Sequence, residues 1–509
     1  MSIFLSLLSG FILSSAFPRL DLGVMAWVGL IPLFFALEGR SSWASFRLGL
    51  TAGLAFYLGL LYWILVPLTV YGQVPYHFAI PTLLLLVIYL SLYFGAFALI
   101  YDRLKGLGSF PPFISIPSAW VALELIRTYL LTGFPWGALG YSQYRNLWLI
   151  QISDVTGVYG VSFLLVLVNF ALYQVARGAF KGEWGRAIRS PALATTCLIL
   201  FGVGLYGWNR LSYWDKVVPR RTLSVGIAQG NIDQGVKWDA SFRRETVLIY
   251  DRLSRALSPT SPELVIWPET AAPFPIQVDA ELTPLLIEVA QREGSYLLLG
   301  APGLKLEKGG IRFTNSAFLF SPDGQVLGRY DKIHLVPFGE YTPLKFLFPF
   351  LKTVSALGPG EFSPGEGLTI FGLPKGRFAT IICYEAIFPG LVRRFVKGGA
   401  DFLVNITNDA WFGRTSAPYQ HFSMAIFRAV ENRVYLARAA QTGISALVSW
   451  KGEVLVESEI FTEDIINGWI PMKEEATIYT RFGDTFAYLL TALSLWGLLQ
   501  SFIERRYHA

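Results

Sequence analysis

The sequence predicts a polytopic α-helical membrane bundle of about eight helices, joined to an α/β domain that is exported across the membrane. Of its 509 residues, 53% are hydrophobic and only 15% are charged, which is too apolar for an ordinary soluble protein. Long uncharged runs fill the first part of the chain, stop after Trp208, and return only near residues 484–503. The segment between them alternates apolar and polar residues as globular domains do.

About eight apolar runs are candidates for membrane helices, because about 20 mostly apolar residues cross a bilayer core. They are Ile3–Phe17, Val24–Leu37, Leu48–Thr69, Ile80–Tyr101, Pro112–Leu131, Val161–Val175, Ala192–Trp208 and Thr485–Phe502. The first two are short, and we expect them to be tilted or re-entrant. The first resembles a signal peptide but lacks a basic n-region and a convincing cleavage site, so we expect a retained helix. Residues 1–210 would hold about seven helices, and residues 484–504 the last.

Basic residues predict how these helices are oriented. They are concentrated in alternate loops and after the last run: Arg40, Arg47, Arg103, Lys105, Arg177, Lys181, Arg186, Arg189, Arg505 and Arg506. The other loops carry only Arg19 and Arg145. By the positive-inside rule, both termini face the cytoplasm and the segment after Trp208 is exported. The net charge of +6 comes without a Lys/Arg stripe interleaved with aromatic residues, so no nucleic-acid partner is expected.

An α/β domain is predicted over residues 220–472. Short runs rich in β-forming residues recur at Leu223–Ala228, Leu264–Trp267, Tyr296–Gly300, Ser316–Phe320, Ala379–Cys383, Phe402–Ile406 and Ala446–Val448. Helical patterns separate some of them, at Phe242–Leu257, Leu282–Glu293 and Ser423–Ala437. This mixed order predicts a layered sandwich with functional residues at the ends of strands.

Cys383 is the first candidate nucleophile, because it stands where an apolar strand is predicted to end. The other cysteine, Cys197, lies in a hydrophobic run, so an internal disulfide is implausible and Cys383 is left as a lone thiol. The alternative is a small buried apolar residue. Glu269 and Lys332 also stand at predicted strand ends, which favours chemistry over packing, although each could instead belong to an ordinary ion pair.

Several motifs together resemble the nitrilase superfamily. They begin at Val225-Gly-Ile-Ala-Gln-Gly-Asn, Trp267-Pro-Glu, Asp331-Lys-Ile-His, Ile382-Cys-Tyr-Glu, Asn405-Ile-Thr-Asn-Asp-Ala-Trp-Phe and Arg428-Ala-Val-Glu-Asn-Arg. The resemblance implies an αββα sandwich with Glu269, Lys332 and Cys383 as its Glu-Lys-Cys triad. The membrane part, with Gly133-Phe-Pro-Trp-Gly-Ala-Leu-Gly-Tyr-Ser-Gln, resembles the apolipoprotein N-acyltransferases of Gram-negative inner membranes. That likeness implies a multi-pass inner-membrane protein with a periplasmic catalytic domain.

The chemistry of acyl transfer fits these three residues. A thiol with an ordinary pKa near 8.5 is only slightly ionised at neutral pH, so it needs a base or positive surroundings. Glu269 can take the thiol proton and return it to the leaving group. Lys332, with the backbone N–H that follows Cys383, can stabilise the oxyanion of the tetrahedral intermediate.

Four further residues are expected around the triad. By resemblance, Glu340 supports proton handling, and Tyr384 and Glu385 shape the pocket; Glu385 could instead be a solvated loop charge. Trp238 matches a tryptophan linked to substrate handling, but it could be a half-buried packing residue.

Other polar residues were assigned no catalytic part. Asn315 is expected to be structural, and His334 and His421 to be hydrogen-bonded loop residues. The four histidines include no pair at metal-ligand spacing, and no phosphate-binding glycine motif is present, so neither a metal nor a cofactor is expected.

A charged pair in the fifth apolar run and an apolar run after Glu340 can each be interpreted as structural or as functional. Glu124 and Arg127 share one face of the fifth run, where they are expected to pair, or else to seat a lipid headgroup. The apolar run Tyr341–Leu357, within the weakly diagnostic 341–367 region, could be a lid at the bilayer surface or could pack on the bundle.

The predicted function is a membrane-embedded acyltransferase. It would take an acyl chain from a phospholipid onto Cys383 and pass it to the α-amino group of the lipid-modified N-terminal cysteine of an apolipoprotein. A membrane-anchored amidase or nitrilase would use the same triad with water as the acceptor, but its anchor needs only one helix. A transporter or scaffold with a degenerate sandwich is disfavoured by the intact triad.

Overall fold

The computed structural model describes residues 1–107, 111–307, 310–342 and 361–507. The chain forms two compact units. One, the bundle unit, comprises Met1–Trp63, Ile80–Lys216 and Thr477–Ala509. The other, the sandwich unit, comprises Ile64–Ala79 and Val217–Ala476.

Long apolar helices dominate the first part of the chain and its C-terminal end. Within the described residues, six helical segments are long and apolar enough to cross a membrane: Ser42–Tyr71, Tyr76–Leu104, Pro112–Thr132, Val158–Phe180, Trp184–Trp214 and Thr485–Glu504. Two shorter apolar segments, Ser2–Ser15 and Gly23–Ala36, precede them. Short helices also occur at Leu147–Ile150, Ser153–Thr156 and Ile478–Phe482. Each predicted apolar run overlaps one of the eight apolar segments, which confirms the helical bundle; how many cross a membrane stays a prediction.

Two glycines allow neighbouring helices of the bundle unit to approach closely. Gly49 and Gly53 lie one turn apart on the Ser42–Leu61 helix. A Cβ at Gly49 would stand 2.4 Å from the Phe94 carbonyl oxygen, and one at Gly53 would stand 2.8 Å from Ser91 Cα. Small residues at such positions let backbones pack directly where a bilayer supplies no hydrophobic driving force between helices.

Glu124 and Arg127 are buried in the bundle unit, but they do not pair as expected. Glu124 Oε1 accepts hydrogen bonds from Trp120 Nε1 and from the backbone N–H of Leu139, both at 2.8 Å. The Arg127 guanidinium lies 5.6 Å from the ring centroid of Tyr57. Glu124 Oε2 and Arg127 Nε have no hydrogen-bond partner among the described residues. The expected ion pair is therefore not formed: Glu124 is bonded to Trp120 and Leu139, and the guanidinium of Arg127 lies near the Tyr57 ring instead.

The sandwich unit is built from two six-stranded sheets. The first sheet has the order β12-β1-β2-β3-β4-β5. Its strands are β1 Thr222–Gln229, β2 Leu264–Ile266, β3 Tyr296–Glu307, β4 Gly310–Phe320, β5 Val326–Asp331 and β12 Asp464–Pro471. The second sheet has the order β11-β10-β9-β8-β7-β6. Its strands are β6 Phe371–Leu373, β7 Gly376–Ile382, β8 Phe402–Thr407, β9 Tyr435–Ala440, β10 Ala446–Val448 and β11 Val454–Glu457.

Helices cover the sheets and complete the predicted layered sandwich. Arg243–Leu257 and Thr283–Glu293 bury Tyr250, Leu286 and their apolar neighbours in one core with β2 and β3. Pro389–Lys397 packs against β7, and Ala417–Asn432 packs against β9. Parallel pairs β1–β2–β3 and β7–β8–β9 form the centres of the two sheets. The α/β sandwich is thereby confirmed.

One helix ends earlier than the sequence predicts. The expected helix Ser423–Ala437 stops at Asn432, and Arg433 then takes a φ of +49°. That left-handed residue ends the helix, and the chain turns into strand β9. The run Val434-Tyr-Leu is β-branched and aromatic, so it favours a strand, whereas the predicted helix pattern ran through it.

A short segment from between two long helices belongs to the sandwich unit. Residues Ile64–Ala79 cluster with Val217–Ala476 rather than with the bundle. The ring of Tyr71 meets that of Trp411 edge to face, with centroids 5.5 Å apart. Trp411 lies in the Asp409–Phe412 turn that follows β8.

Candidate active site

Lys332 is held between two carboxylates at the end of the first sheet. It follows β5 directly, and its backbone N–H donates to the Asn315 carbonyl oxygen at 2.8 Å. Its side chain is 1% exposed. The ammonium lies 2.9 Å from Glu340 Oε1 and 3.8 Å from Glu269 Oε1. The structure therefore brings Glu269, Lys332 and Glu340 together, as predicted.

Charge keeps Lys332 protonated. Burial by itself lowers the pKa of a lysine, but the carboxylates of Glu340 and Glu269 outweigh it and raise the pKa of Lys332 above its ordinary value. Lys332 is thus a permanent cation at neutral pH. Two carboxylates oppose its single charge.

Asn315 links the two carboxylates. Its Nδ2 donates to Glu269 Oε1 and to Glu340 Oε1, each at 2.7 Å. The second oxygen of Glu340 accepts from the Val336 backbone N–H at 2.7 Å. Asn315, expected to be structural, thus orients both acidic side chains at the centre of the site.

The two carboxylate oxygens of Glu269 differ in their hydrogen bonding. Oε1 is held by Asn315, while Oε2 is buried and has no hydrogen-bond partner within the described part of the chain. The backbone of Glu269 packs directly on Gly300 in strand β3. A Cβ at Gly300 would lie 2.7 Å from Glu269 Cα, so only glycine allows the two backbones to come this close. Thr270 follows with a φ of +53°. A carboxylate oxygen fixed in this way can accept a proton.

Cys383 begins a sharp turn immediately after β7. Its φ is +50°, a left-handed conformation that non-glycine residues rarely adopt and that is common at reactive sites. The side chain is 8% exposed. Burial, and next the negative charge of Glu269, raise the pKa of the Cys383 thiol, against the opposing effect of Lys332. The resting thiol is therefore protonated at neutral pH and requires a base when it reacts.

A buried polar chain supports the backbone of Cys383 from the second sheet. His421 Nε2 lies 3.1 Å from the Cys383 carbonyl oxygen, and Nδ1 lies 3.0 Å from Asp409 Oδ1. Arg438 Nη2 is 2.7 Å from Asp409 Oδ2. A carbonyl only accepts, so Nε2 carries the hydrogen, and Nδ1 of the neutral ring can accept from Arg438 Nη2, which lies 3.2 Å away. His421 is hydrogen-bonded, as expected, but it lies on the helix Ala417–Asn432 rather than in a loop, and it contacts the peptide group of Cys383.

The charges in this polar chain are well defined. Burial would raise the pKa of Asp409, but the positive charge of Arg438, and that of the His421 ring when it is protonated at low pH, hold it at about 2. Burial, and next the positive charge of Arg438, lower the pKa of His421. Asp409 is therefore a carboxylate and His421 is a neutral imidazole at neutral pH.

Glu385 is fully buried, which rules out its reading as a solvated loop charge. Its Oε1 accepts from the Tyr330 hydroxyl at 2.7 Å and from the Ile333 N–H at 2.8 Å, and its Oε2 accepts from the Ile382 N–H at 2.8 Å. These bonds join the turn at Cys383 to the loop after Lys332. Glu385 thereby fixes the distance between the two sheets at the site.

The remaining predicted residues lie around this cluster. Tyr384 is mostly buried, and its ring meets that of Phe388 with centroids 5.1 Å apart. Trp238 is half-buried, and its indole N–H has no hydrogen-bond partner among the described residues. Of the 341–367 region considered as a lid, residues 343–360 lie outside the described part of the chain.

Lys237 is a site residue that the sequence analysis missed. It is 0% exposed, and its Nζ donates to the backbone carbonyl oxygen of Glu269 at 3.0 Å. Burial lowers the pKa of Lys237 to about 7, against the opposing effects of Glu269 and Cys383. A lysine is rarely buried, so composition gave no sign of it. The one available signal was its position directly before Trp238.

This geometry suits cysteine-based acyl transfer. Such chemistry needs a nucleophile, a base and an oxyanion donor, and a thiol on a left-handed backbone, a carboxylate with an unbonded oxygen and a fixed ammonium can fill these roles.

Comparisons with known proteins agree with this geometry. Residues 9–171 match the family model of the apolipoprotein N-acyltransferase N-terminal domain, and residues 224–478 match that of carbon-nitrogen hydrolases. An apolipoprotein N-acyltransferase of Geobacter metallireducens is 43% identical over 96% of this chain and 93% of its own. One from Haemophilus influenzae is 30% identical over 99% of this chain and 95% of its own.

A solved amidase from Nesterenkonia sp. is 20% identical, with a TM-score of 0.39 over 54% of this chain and 98% of its own. The full-length similarity to the curated enzymes, with both halves matched in order, means that the chain belongs to the apolipoprotein N-acyltransferase family.

Proposed function

We propose that this protein transfers a fatty acyl chain from a phospholipid to the α-amino group of the diacylglyceryl-modified N-terminal cysteine of an apolipoprotein, through a thioester on Cys383. The observation that carries the proposal is the cluster of Cys383, Glu269 and Lys332 on a chain whose helical half matches the N-terminal domain of these acyltransferases. A hydrolytic amidase would not require that half.

In the first step, Cys383 Sγ attacks the ester carbonyl carbon of the phospholipid. A sulfur–carbon bond forms and the carbon–oxygen bond of the ester breaks. Glu269 takes the thiol proton on its free Oε2 and delivers it to the departing oxygen, which leaves as a lysophospholipid. The ammonium of Lys332 stabilises the oxyanion of the tetrahedral intermediate.

In the second step, the neutral α-amino group of the acceptor attacks the thioester carbonyl carbon. A nitrogen–carbon bond forms and the carbon–sulfur bond breaks. Glu269 removes a proton from the nitrogen and returns it to the Cys383 sulfur, so the enzyme ends in its starting protonation state. No cofactor takes part in either step.

The proposed location is the bacterial inner membrane, with both termini in the cytoplasm and the sandwich unit in the periplasm. The uneven distribution of basic residues between alternate loops supports this orientation. The substrates support it as well, because their acyl chains stay in the bilayer while their reacting groups lie at its surface.

Intact-mass analysis of the purified protein with phospholipid and no acceptor tests the first step. We expect one hydroxylamine-labile acyl adduct on Cys383, its absence in Cys383→Ser, and its retention in the matched control Cys197→Ala. An adduct on Cys197, or none, would contradict the thioester.

Adding a diacylglyceryl-cysteine peptide tests the second step. We expect the wild-type thioester to be consumed mainly by N-acylation of the peptide, because an oriented amine outcompetes water. Release of free fatty acid with an unmodified amine would favour the amidase instead.

Labelling of single cysteines tests the orientation. In a Cys197→Ala, Cys383→Ala background, Asp323→Cys on the sandwich unit should react in intact cells with a membrane-impermeant thiol reagent. Gly182→Cys, in a basic loop, should not. The reverse pattern would place the sandwich unit in the cytoplasm.

A further inference from the structure

The buried charges of the site do not balance without a second cation. Lys332 contacts both Glu269 and Glu340, so this group of three carries one excess negative charge. In each step of acyl transfer, Glu269 takes up a proton and the negative charge develops on the oxyanion instead. A buried site of net negative charge opposes that development unless another cation is near.

Lys237 contacts Glu269 through a different atom from the one that Lys332 faces. Its Nζ donates to the main-chain oxygen of Glu269 at 3.0 Å, whereas Lys332 faces a carboxylate oxygen of the same residue. The charged and titratable groups that act on Lys237 are Glu269 and Cys383. Its charge therefore acts on both the proposed base and the nucleophile.

The loop that carries Lys237 follows strand β1 of the first sheet and is hydrogen-bonded to the second sheet. Asn408 Nδ2, after β8, donates to Gln234 Oε1 at 2.7 Å, and the Asn231 N–H donates to the Gln441 carbonyl oxygen at 2.9 Å. Both anchors precede Lys237 by a few residues after strand β1. A buried lysine on an anchored loop holds its ammonium in one place, which a flexible surface lysine does not.

We propose that Lys237 is a positioning residue for acyl transfer, which orients Glu269 through its main-chain oxygen and supplies the cation that offsets the excess negative charge beside Cys383. This inference rests on the proposed function, because it needs Cys383 and Glu269 to react as described. It adds a second lysine to the three triad residues and assigns it an electrostatic part.

The pH dependence of thioester formation tests this role. The charge of Lys237 is present below its pKa of about 7 and is lost above it. We expect the ratio of wild-type to Lys237→Met acylation rates to be about tenfold at pH 6, the factor of one pKa unit, and to fall towards one by pH 9. A purely structural role would give the same ratio at every pH and would overturn the proposal.

Two further variants keep the result interpretable. Lys473 is partly buried and also donates to a main-chain oxygen, that of Val396 at 3.2 Å, so Lys473→Met is the matched control and should change neither the rate nor its pH profile. Lys237→Arg stays charged at pH 9, so its rate relative to wild type should rise between pH 6 and pH 9. Lys237→Arg decides the question if Lys237→Met does not fold. If the rate of Lys237→Arg relative to wild type does not change between pH 6 and pH 9, the proposal is overturned.

The outcomes separate the two levels of inference. If the wild type forms no adduct on Cys383, the proposed function itself fails. If the wild type forms the adduct and Lys237→Met forms it at the same rate at pH 6, the function stands and only the role of Lys237 is lost.

Discussion

At the end of the first sheet, the side chains of the site form ion pairs and hydrogen bonds with one another. At the end of the second sheet, Cys383 is instead held through its backbone. Glu269, Lys332 and Glu340 are connected by an ion pair and by the amide of Asn315. Cys383 instead has a strained φ and a carbonyl group fixed by His421. The difference teaches that the first sheet brings together the charged groups of the site, whereas the second sheet fixes the backbone that carries the sulfur.

Removing charge from the first sheet should have the largest effect. Lys332→Met removes the proposed oxyanion donor, and Glu269→Gln removes the proposed base. Each variant should therefore lower the rate of thioester formation by about 10² or more. The measurement is single-turnover acylation by phospholipid, followed by mass. Lys375→Met removes an exposed pair with Glu263 (2.8 Å) and should keep the wild-type rate. Near-normal turnover in both triad variants would show that the triad is not the active site.

Breaking the link between the two carboxylates should have an intermediate effect. Asn315→Ala leaves every ionised group in place but removes the donor that both carboxylates share. We expect the acylation rate to fall about tenfold, which corresponds to the loss of about 1.4 kcal/mol of hydrogen bonding. Asn467→Ala, which removes an exposed bond to Thr260, is the control. A rate equal to that of the control would mean that Asn315 only fills space.

Removing the hydrogen bond from His421 to the Cys383 carbonyl should have the smallest effect on the acylation rate. This effect should not vary with pH. His421→Ala removes the donor to the Cys383 carbonyl, so we expect a loss of a few-fold, in keeping with one neutral hydrogen bond of about 1 kcal/mol. His421→Gln can still donate and should recover part of the rate. Because burial and Arg438 lower the pKa of His421, the ring stays neutral from pH 6.5 upwards, and the loss should be constant between pH 7 and pH 9. A loss that changes with pH in this range would assign His421 a part in proton transfer.

The strand ends that carry the triad could be predicted from the sequence because apolar runs stop there abruptly. Cys383 and Lys332 directly follow strands β7 and β5, and Glu269 follows β2 after Trp267 and Pro268. The family motifs predict that these three positions form one triad. The local hydrophobic pattern and the turn-forming residues are therefore enough to predict where these strands end.

What could not be predicted depends on contacts between distant segments. The burial of Lys237 arises only when its loop folds over Glu269, and the default expectation for lysine is exposure. The contact of His421 with Cys383 joins residues 38 apart in sequence. Strand β9 was hidden because the helix before it ends at Arg433, a residue that gives no sequence signal for a left-handed turn.

The contact between Tyr71 and Trp411 has a consequence for dissecting the enzyme. The folded catalytic body is discontinuous, because it includes Ile64–Ala79 as well as the long segment Val217–Ala476. A soluble fragment cut at the ends of the long segment would lose the aromatic partner of Trp411 and leave a face that the full-length protein covers. Excised fragments would therefore need those sixteen residues grafted back, and chimaeras between family members should exchange both segments together.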